Sequence, residues 1–351
     1  MAVVNLEITG DLTLTDYGHD EGNNGCLVIK TLGCTPNLSV TGNVIINSTV
    51  STSTHYQALY SSSQDSWDGA CSMSANYLYA SAVHGGIQWY DWMCGSLVSI
   101  PNTLAVSTSN GAGIIFSGCG DAYTWWMGNI VGISYGNTGV AIDSAGVTGD
   151  VSGYCYSATG VGFYNGYGSV GVWGGSGTGQ TGPYGLIGIH GNIIAYADGT
   201  PNDTLPIYGF FSPMGNIFGT ILGYGPPCAN PYTYCSYNSW FGGYSGAKYP
   251  WSAGVVIEGV VRIDVPAAYP LVIPYGQNFL FNGSYINIAS QAKVENYGYF
   301  YSTGNPSYMG SCSVGFYSGA RFYNDKIFDN TLGFITFAGG SVTNRFPAIE
   351  V

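Results

Sequence analysis

Residues 177–182, Gly-Thr-Gly-Gln-Thr-Gly, match the G-x-G-x-x-G spacing that lets a backbone wrap a pyrophosphate. That chemistry needs more than glycines. A strand must lead in, a helix must open at the third glycine, and its free N–H groups must face the phosphate. Here "VGVW" can serve as the strand, but "GPYGLIGIHG" follows, and Pro183, Gly185 and Gly188 deny a helix. Asp198, near the place of a ribose-binding acid, is then a coincidence of spacing. The sequence holds no G-K-[ST] triplet, which excludes a P-loop. We expect a turn-rich loop at this run.

Other oxygen, nitrogen and sulfur groups are spaced less suggestively. Asp16, Asp20 and Glu21 crowd the glycine-containing stretch "DYGHDEGNNG", a donor set of the kind Ca²⁺ takes. Glu21 stands where an EF-hand requires glycine, so calcium is a weak cofactor candidate beside the simpler reading of a solvated acidic loop. Asp143 with Asp150, and Asp198 with Asp203, are the closest carboxylate pairs in mid-chain, as glycoside hydrolysis would need. Each serves equally well as a turn former whose oxygen bonds the local backbone. His19, His55, His84 and His190 are scattered, with no H-E-x-x-H and no G-x-S-x-G around them.

Nine cysteines occur without a C-x-x-C pair, which removes the common zinc and thioredoxin patterns. Cys228 with Cys235, and Cys26 with Cys34, bracket short segments and are disulfide candidates, with small buried thiols as the alternative. N-x-[ST] sequons at Asn37, Asn47, Asn202 and Asn282 are compatible with a glycosylated exterior.

Aromatic residues are the strongest positive signal. Trp89 and Trp92 lie in "IQWYDWMCG", Trp125 and Trp126 in "AYTWWMGN", and Tyr232, Tyr234, Trp240 and Trp251 in a tyrosine-rich run from 224 to 251. Tyr and Trp offer wide contact area with few rotors and a polar tip. These eight are the expected sugar-stacking or protein-interface residues, with burial in a core as the alternative.

The elements that must position such groups read as strands. Only 7% of residues are charged, against roughly 25% in an average soluble domain, while Val, Ile, Thr and Tyr are plentiful, which favours sheet over helix. "LEITGDLTLT" (6–15) and "LSVTGNVIINSTV" (38–50) share one pattern of strand, Gly-Asp or Gly-Asn corner, and strand. Gly-Asn precedes an apolar pair at 42–43, 128–129, 191–192 and 215–216, and the last step, from Gly191 to Gly215, resembles one coil. Ala-Lys-Val-x-Asn at 292–296 is answered by Ala-Arg-Phe-x-Asn at 320–324. Repeats of about 20–30 residues built of strand and turn must stack on one another to bury a face. The expected fold is all-β, a parallel β-solenoid, with a β-sandwich or jelly roll as the alternative; "SMSANYLYASAVHGG" (72–86) is the best candidate for one short helix. Residues 1–163 read as an acidic β block, 164–185 as a glycine-rich loop or hinge, and 186–351 as a neutral β block, or all as one continuous domain.

Up to residue 247, Lys30 is the only cation against 13 acids, and from Lys248 on six cations meet six acids. Nucleic acid, which demands clustered cations, is not an expected partner. No apolar run reaches the roughly 18 residues that a membrane span needs, so no span is expected. The opening "MAVVNLEITGDLTLT" alternates like a strand and lacks a basic and an apolar region, so no signal peptide is expected in it.

Tyr, Gly, Ser, Thr and Asn richness, sparse lysine and strand-corner-strand repeats resemble the surface and virion proteins of hyperthermophilic, often acidophilic, archaea and their viruses. The chain is also similar to the β-helical fibres and spikes of phages. The resemblance covers the whole chain and transfers no site residue. It implies a non-enzymatic structural or attachment protein on a virion or extracellular surface. The expected partners are its own copies, surface glycans or other virion proteins. A carbohydrate-binding or polysaccharide-cleaving β-helix is the alternative.

Overall fold

A computed structural model describes residues 2–16, 25–30, 34–51, 56–63, 70–91, 95–109, 111–118, 124–136, 138–142, 145–156, 170–174, 181–182, 185–186, 188–197, 208–212, 215–217, 221–224, 255–265, 271–273, 278–288, 291, 293–297, 299–302, 313–317, 321–324, 328–329, 334–338, 341–344 and 349–350. Among these residues the structure is all-β and without a helix. Residues 72–86 form strands Ser72–Ser74 and Tyr77–Ala82 instead of the expected short helix. Alternation prevails there over helix propensity: Leu78, Ala80 and Ala82 are buried, Tyr77, Tyr79 and Ser81 are not, and the strand pairs with Asn43–Ser48.

Three successive strands pair with the next three. Ala2–Ile8 runs parallel to Cys34–Val40, Leu12–Asp16 to Asn43–Ser48, and Gly25–Lys30 to Gln57–Ser63. Repetition of that step makes three parallel ladders, and each set of three strands is called a rung below. The first ladder continues through Ser72–Ser74, Leu97–Ser107, Thr124–Ser134, Ala145–Val147, Gly188–Ile189, Gly215–Ile217, Val255–Val265, Asn278–Ile288, Ser313–Tyr317 and Phe334–Ala338. The second runs through Tyr77–Ala82, the later halves of Leu97–Ser107 and Thr124–Ser134, Val151–Cys155, Ile193–Ala197 and Ile221–Tyr224. The third passes from Gln57–Ser63 to Ile87–Asp91, Ile114–Gly118, Thr138–Ile142, Val170–Gly174 and Tyr208–Ser212, and on through Val255–Val265 to Ile349–Glu350. All three ladders cross the glycine-rich stretch 164–185 without a break in pairing. A sandwich or jelly roll is built of antiparallel strands. Among the described residues the antiparallel pair is Thr181–Gly182 with Gly185–Leu186.

Register selects one apolar column per wall. In the first ladder Leu6, Leu38, Met73, Val98, Trp126, Val147, Ile189, Ile217, Ile263, Ile286, Val314 and Ile335 are successive partners. All are apolar, although the steps between them are unequal in length. The third ladder carries a second such column, from Leu27, Leu59 and Ile87 to Phe300, Phe328 and Ile349. Alternation along each strand turns the column residues from Leu38 to Ile189 inward, and from Leu38 to Ile193 the inward positions form one buried core.

Side-chain volume passes from wall to wall along this core. In the second ladder the inward column Ile46, Ala80, Ala105, Gly132, Gly153, Ala195 shrinks. The space is taken by large rings from the other two walls. Trp126 stacks on Phe116 at 4.6 Å and meets Trp89 edge-on at 5.9 Å, and its indole N–H donates to Thr103 Oγ1 at 3.3 Å. Ring pairs of this kind add to burial itself.

The corner between first and second ladders explains the Gly-Asp and Gly-Asn repeats. Gly10 and Gly128 sit at φ 95° and 144°, which glycine adopts without cost. Successive corners lie backbone on backbone: a Cβ on Gly128 would fall 2.0 Å from Ile100 O, and one on Gly191 2.2 Å from Gly149 O. The adjoining side chains join the rungs. Asp11 Oδ1 accepts from Asn43 N at 2.7 Å, Asn129 Oδ1 from Asp150 N at 2.9 Å, and Asp150 Oδ1 from Asn192 N at 2.7 Å. Three of the four Gly-Asn pairs thus occupy one corner. The fourth does not: Gly215-Asn216 lies inside a first-ladder strand with Asn216 opposite Gly188, and Ile193 pairs with Ile221. The expected coil from Gly191 to Gly215 is corrected accordingly. The echo between 292–296 and 320–324 is in register, Lys293 against Arg321, Val294 against Phe322 and Asn296 against Asn324.

Serine closes the next corner. Ser48, Ser107 and Ser134 Oγ accept from Val50, Gly111 and Gly136 N at 3.1–3.3 Å, local bonds that favour a turn over continued strand.

Gly128→Ala combines strain with a backbone overlap and is expected to cost about 3 kcal/mol or more. Gly10→Ala, with nothing within 4 Å of the added Cβ, should cost only about 1 kcal/mol. Thermal melts of the two variants, compared with the parent chain, check the difference.

Candidate functional site

A strand with one face in the core turns its alternate residues outward. Along the second ladder that outer face is almost free of charge. Ile45, Tyr79, Leu104, Val131, Ser152 and Ile194 are successive partners in one outward column. The next outward column includes Val106, Ile133, Tyr154 and Tyr196, and leads in register to Tyr224. Just beyond the strand ends stand Tyr135, 54% exposed, and Tyr156, 43% exposed.

Four of these rings form a cluster. Tyr135 stacks on Tyr156 at 5.5 Å, Tyr156 lies 5.8 Å from Tyr196, and Tyr154 lies 6.4 Å from both Tyr156 and Tyr196. Tyr135 N bonds Ser107 O at 3.0 Å and Tyr156 N bonds Ser134 O at 2.8 Å, so the inter-rung ladder fixes the backbone beneath each ring. The row Asn102, Asn129, Asp150 and Asn192 marks the other margin, with Asn129 Nδ2 donating to Asn102 Oδ1 at 3.1 Å. The surface therefore offers π-faces and hydroxyls at one border and amide or carboxylate oxygens at the other.

Tyr154, Tyr156 and Tyr196 do not stand out in the sequence, because tyrosines are spread along the whole chain. A readable signal exists in the glycine column Gly86, Gly113, Gly139 and Gly171, which opens the third-ladder strands directly before Ile87, Ile114, Val140 and Val172. These glycines touch backbone: a Cβ on Gly113 would lie 2.6 Å from Gly139 O and from Ile133 N. Aligning the chain on these four Gly-Ile and Gly-Val pairs sets the third-ladder strands in register, and the second-ladder tyrosines follow from the strand that precedes each pair.

Trp89, Trp125 and Trp126 are corrected from surface to interior. Trp89 and Trp126 fill the core opposite the glycine and alanine wall and are 0% exposed. Trp125 points outward, but Gly146 beneath it leaves room for the indole to lie flat, where the His190 ring packs 5.6 Å away. No sugar or partner can reach the faces of these three rings. Trp92, Tyr232, Tyr234, Trp240 and Trp251 lie outside the described residues.

Of the calcium candidates, Asp16 ends a second-ladder strand and its Oδ2 accepts a hydrogen bond from the Tyr56 hydroxyl; Asp20 and Glu21 lie outside the described residues. No group of three or more His, Cys, Asp or Glu converges among the described residues. Asp150 is a corner cap, while Asp143, Asp198 and Asp203 lie outside. His84 is buried, its Nε2 3.2 Å from Ser51 O. The G-x-G-x-x-G run leads into the antiparallel pair Thr181–Gly182 and Gly185–Leu186, where a phosphate-binding helix would have to start.

Cys26 carries a free thiol, which corrects the Cys26–Cys34 pairing. The two residues belong to strands of different ladders, Cys26 within Gly25–Lys30 and Cys34 within Cys34–Val40. Burial, and secondarily the Asp16 carboxylate, push the Cys26 thiol up from its ordinary value of 9.0. Cys228 and Cys235 lie outside the described residues, as does Asn202. The other sequons lie in strands paired on both sides: Asn37 in Cys34–Val40, with Nδ2 on Asn5 Oδ1 at 3.3 Å, Asn47 in Asn43–Ser48, and Asn282 in Asn278–Ile288.

No helix among the described residues is long and apolar enough to cross a membrane. No protein-family model, curated protein or solved structure matches this chain.

Two outcomes follow. Trp126→Ala should cost about 3–5 kcal/mol by emptying the core, read as a lowered melting midpoint, whereas Tyr135→Ser should leave stability within about 0.5 kcal/mol of the parent. Iodoacetamide at pH 8–9 should alkylate Cys26 more slowly than an unstructured cysteine peptide, and Asp16→Asn should narrow the gap. Because the folded chain holds the thiol proton more tightly than the unfolded chain, stability from this group declines as pH rises past 9.

Proposed function

We propose that this chain is a non-enzymatic structural or attachment protein. In this reading it is a β-solenoid displayed on a virion or extracellular surface, working in repeated copies through the outer face of its second ladder. The observation that carries it is the tyrosine cluster on a nearly charge-free face, held by a ladder that repeats the same contact from rung to rung. Coils of three strands in constant order support the solenoid. The resemblance to archaeal surface and virion proteins and to phage fibres supports the setting.

A face of this kind associates by burial of apolar area and ring stacking, with charge contributing little. Tyrosine suits it, since each ring brings area with two rotors and a hydroxyl that remains hydrogen-bonded when covered. Other virion proteins and surface glycans are the partners considered beside copies of the chain.

A sugar-binding role is the second reading, favoured by one feature. Stacked tyrosines opposite a row of Asn and Asp oxygens supply the π-face and the hydroxyl partners a pyranose needs. Cleavage would need two carboxyl groups a few ångströms apart, and Asp150, the described member of the expected pairs, is engaged with Asn192 N.

Tyr135→Ser/Tyr156→Ser/Tyr196→Ser should lower lateral self-association at least tenfold in sedimentation velocity without moving the melting midpoint. Retained lateral association in the triple variant would sink the reading. A parent chain that stays single and binds soluble oligosaccharide at this face supports the sugar-binding reading, and release of reducing sugar supports an enzyme.

A further inference from the structure

The first rung leaves the core open. Ala2–Ile8, Leu12–Asp16 and Gly25–Lys30 each pair on one side only among the described residues, with the second rung. Among the described residues no strand pairs with their other edges, and an open strand edge seeks a strand. Side chains in the inward columns are uncovered as well. Leu6 is 57% exposed while its column partner Leu38 is 5% exposed, and Val4 is 52% exposed. Ile8, Leu12, Leu14 and Leu27 pack on the core while remaining partly exposed.

The last rung ends in the same order and direction. Phe334–Ala338 ends the first ladder and Ile349–Glu350 the third, while Ser341–Asn344, between them in sequence, ends a separate parallel sheet of Leu271–Ile273, Lys293–Asn296 and Arg321–Asn324; each pairs on one side only among the described residues. The two apolar columns begin at Leu6 and Leu27 and end at Ile335 and Ile349. A second chain set on this end in the same direction would place its Leu6 next to Ile335 and its Leu27 next to Ile349, apolar on apolar. Charge favours the same polarity. Residues 2–30 hold Glu7, Asp11, Asp16, Asp20 and Glu21 against Lys30, whereas in residues 293–350 Lys293, Arg321, Lys326 and Arg345 are balanced by Glu295, Asp325, Asp329 and Glu350, so the last rung meets the acidic one without net repulsion. A head-to-head contact would instead bring two acidic ends together and reverse strand direction.

We propose that the first rung is a docking surface for the last rung of a second copy of this chain, so that copies join head to tail along the ladder axis. A contact between unlike surfaces with no closing rotation propagates into an open filament. The proposal rests on the self-associating structural reading, but it uses the ends of the ladders and not the tyrosine face. With twelve strands in the first ladder and ~4.8 Å between strands, each copy adds about 58 Å of length.

The test uses the full chain, its variants Leu6→Lys and Ile335→Lys, and a mixture of the two. Electron microscopy of the parent should show filaments with that axial repeat, and each variant alone should lower filament mass at least tenfold with an unchanged far-ultraviolet circular dichroism spectrum. Mixed, the variants should form one-to-one pairs, because each retains the end that the other lacks. The Tyr135→Ser/Tyr156→Ser/Tyr196→Ser variant should lose lateral bundling and keep the filaments, which separates this proposal from the lateral contact. A parent chain without filaments overturns the proposal, as do filaments insensitive to both lysines or finite dimers abolished by Leu6→Lys alone. Where one lysine variant fails to fold, the other decides by the same loss of filaments.

Discussion

Backbone resting on backbone at about 4.8 Å is the constraint on which the rest of this structure depends. Between paired strands the distance is set by hydrogen bonds, but here it also holds at the corners, where chains usually spread apart. At Gly42, Gly128, Gly149 and Gly191 a Cβ would fall 2.0–2.4 Å from an atom of the neighbouring rung. Gly132, Gly139 and Gly153 bring the second and third ladders together in the same way, with added Cβ atoms only 2.0–2.4 Å from the facing chain. Two glycine columns thus hold the ladders at this spacing, and the glycines within them are a requirement of the stacking instead of a sign of looseness.

Parallel, in-register stacking also accounts for the scarcity of charge. Each outward residue sits about 5 Å from its counterpart one rung away, and two like charges at that distance repel by about 1–3 kcal/mol. The charged residues in described register mostly face neutral partners: Glu7 faces Ser39, Lys30 faces Ser62, Glu258 faces Asn282, Arg262 faces Tyr285 and Asp264 faces Asn287. Lys293 with Arg321, and Asp329 with Glu350, are exceptions, and both lie in the last rungs. Ser, Thr, Asn and Tyr stack on their own kind without that penalty and keep the exterior wet. The same rule that thins out charge gathers tyrosine into a patch.

The all-β class and the corner chemistry are legible in the sequence because they are local. A Gly-Asp or Gly-Asn pair between alternating runs states a tight corner and its cap within a few residues, as at Gly10-Asp11 and Gly42-Asn43. The echo between 292–296 and 320–324 is legible for a similar reason: its two copies fall in register on adjacent strands of one ladder. Elsewhere the step is as short as Trp126 to Val147 and as long as Ile217 to Ile263, so equivalent positions do not align by eye. Gly215-Asn216 imitates a corner while lying in a strand. The tryptophans mislead because their setting is a property of two walls. Trp126 is internal because Ala105 and Gly132 opposite it are small, and no window of sequence contains that comparison. The tyrosine cluster is hidden for the same reason, since Tyr135, Tyr156 and Tyr196 meet only once three rungs are superposed.

The Asx row shows how such a stack can be made insensitive to acid. A carboxylate that accepts an amide hydrogen loses acceptor strength when protonated, whereas a side-chain amide oxygen does not change. Along the corner, Asn129 accepts from Asp150 N while Asp11 and Asp150 accept from Asn43 and Asn192 N, all at 2.7–2.9 Å. The two residue types are therefore interchangeable for shape and differ in formal charge. With 19 acids in 351 residues, and with apolar columns and strand ladders carrying the fold, few contacts are open to protonation. Each asparagine in the row removes one more. Asp or Asn can thus hold the corner in any rung, without disturbing the glycine beside it that sets the spacing.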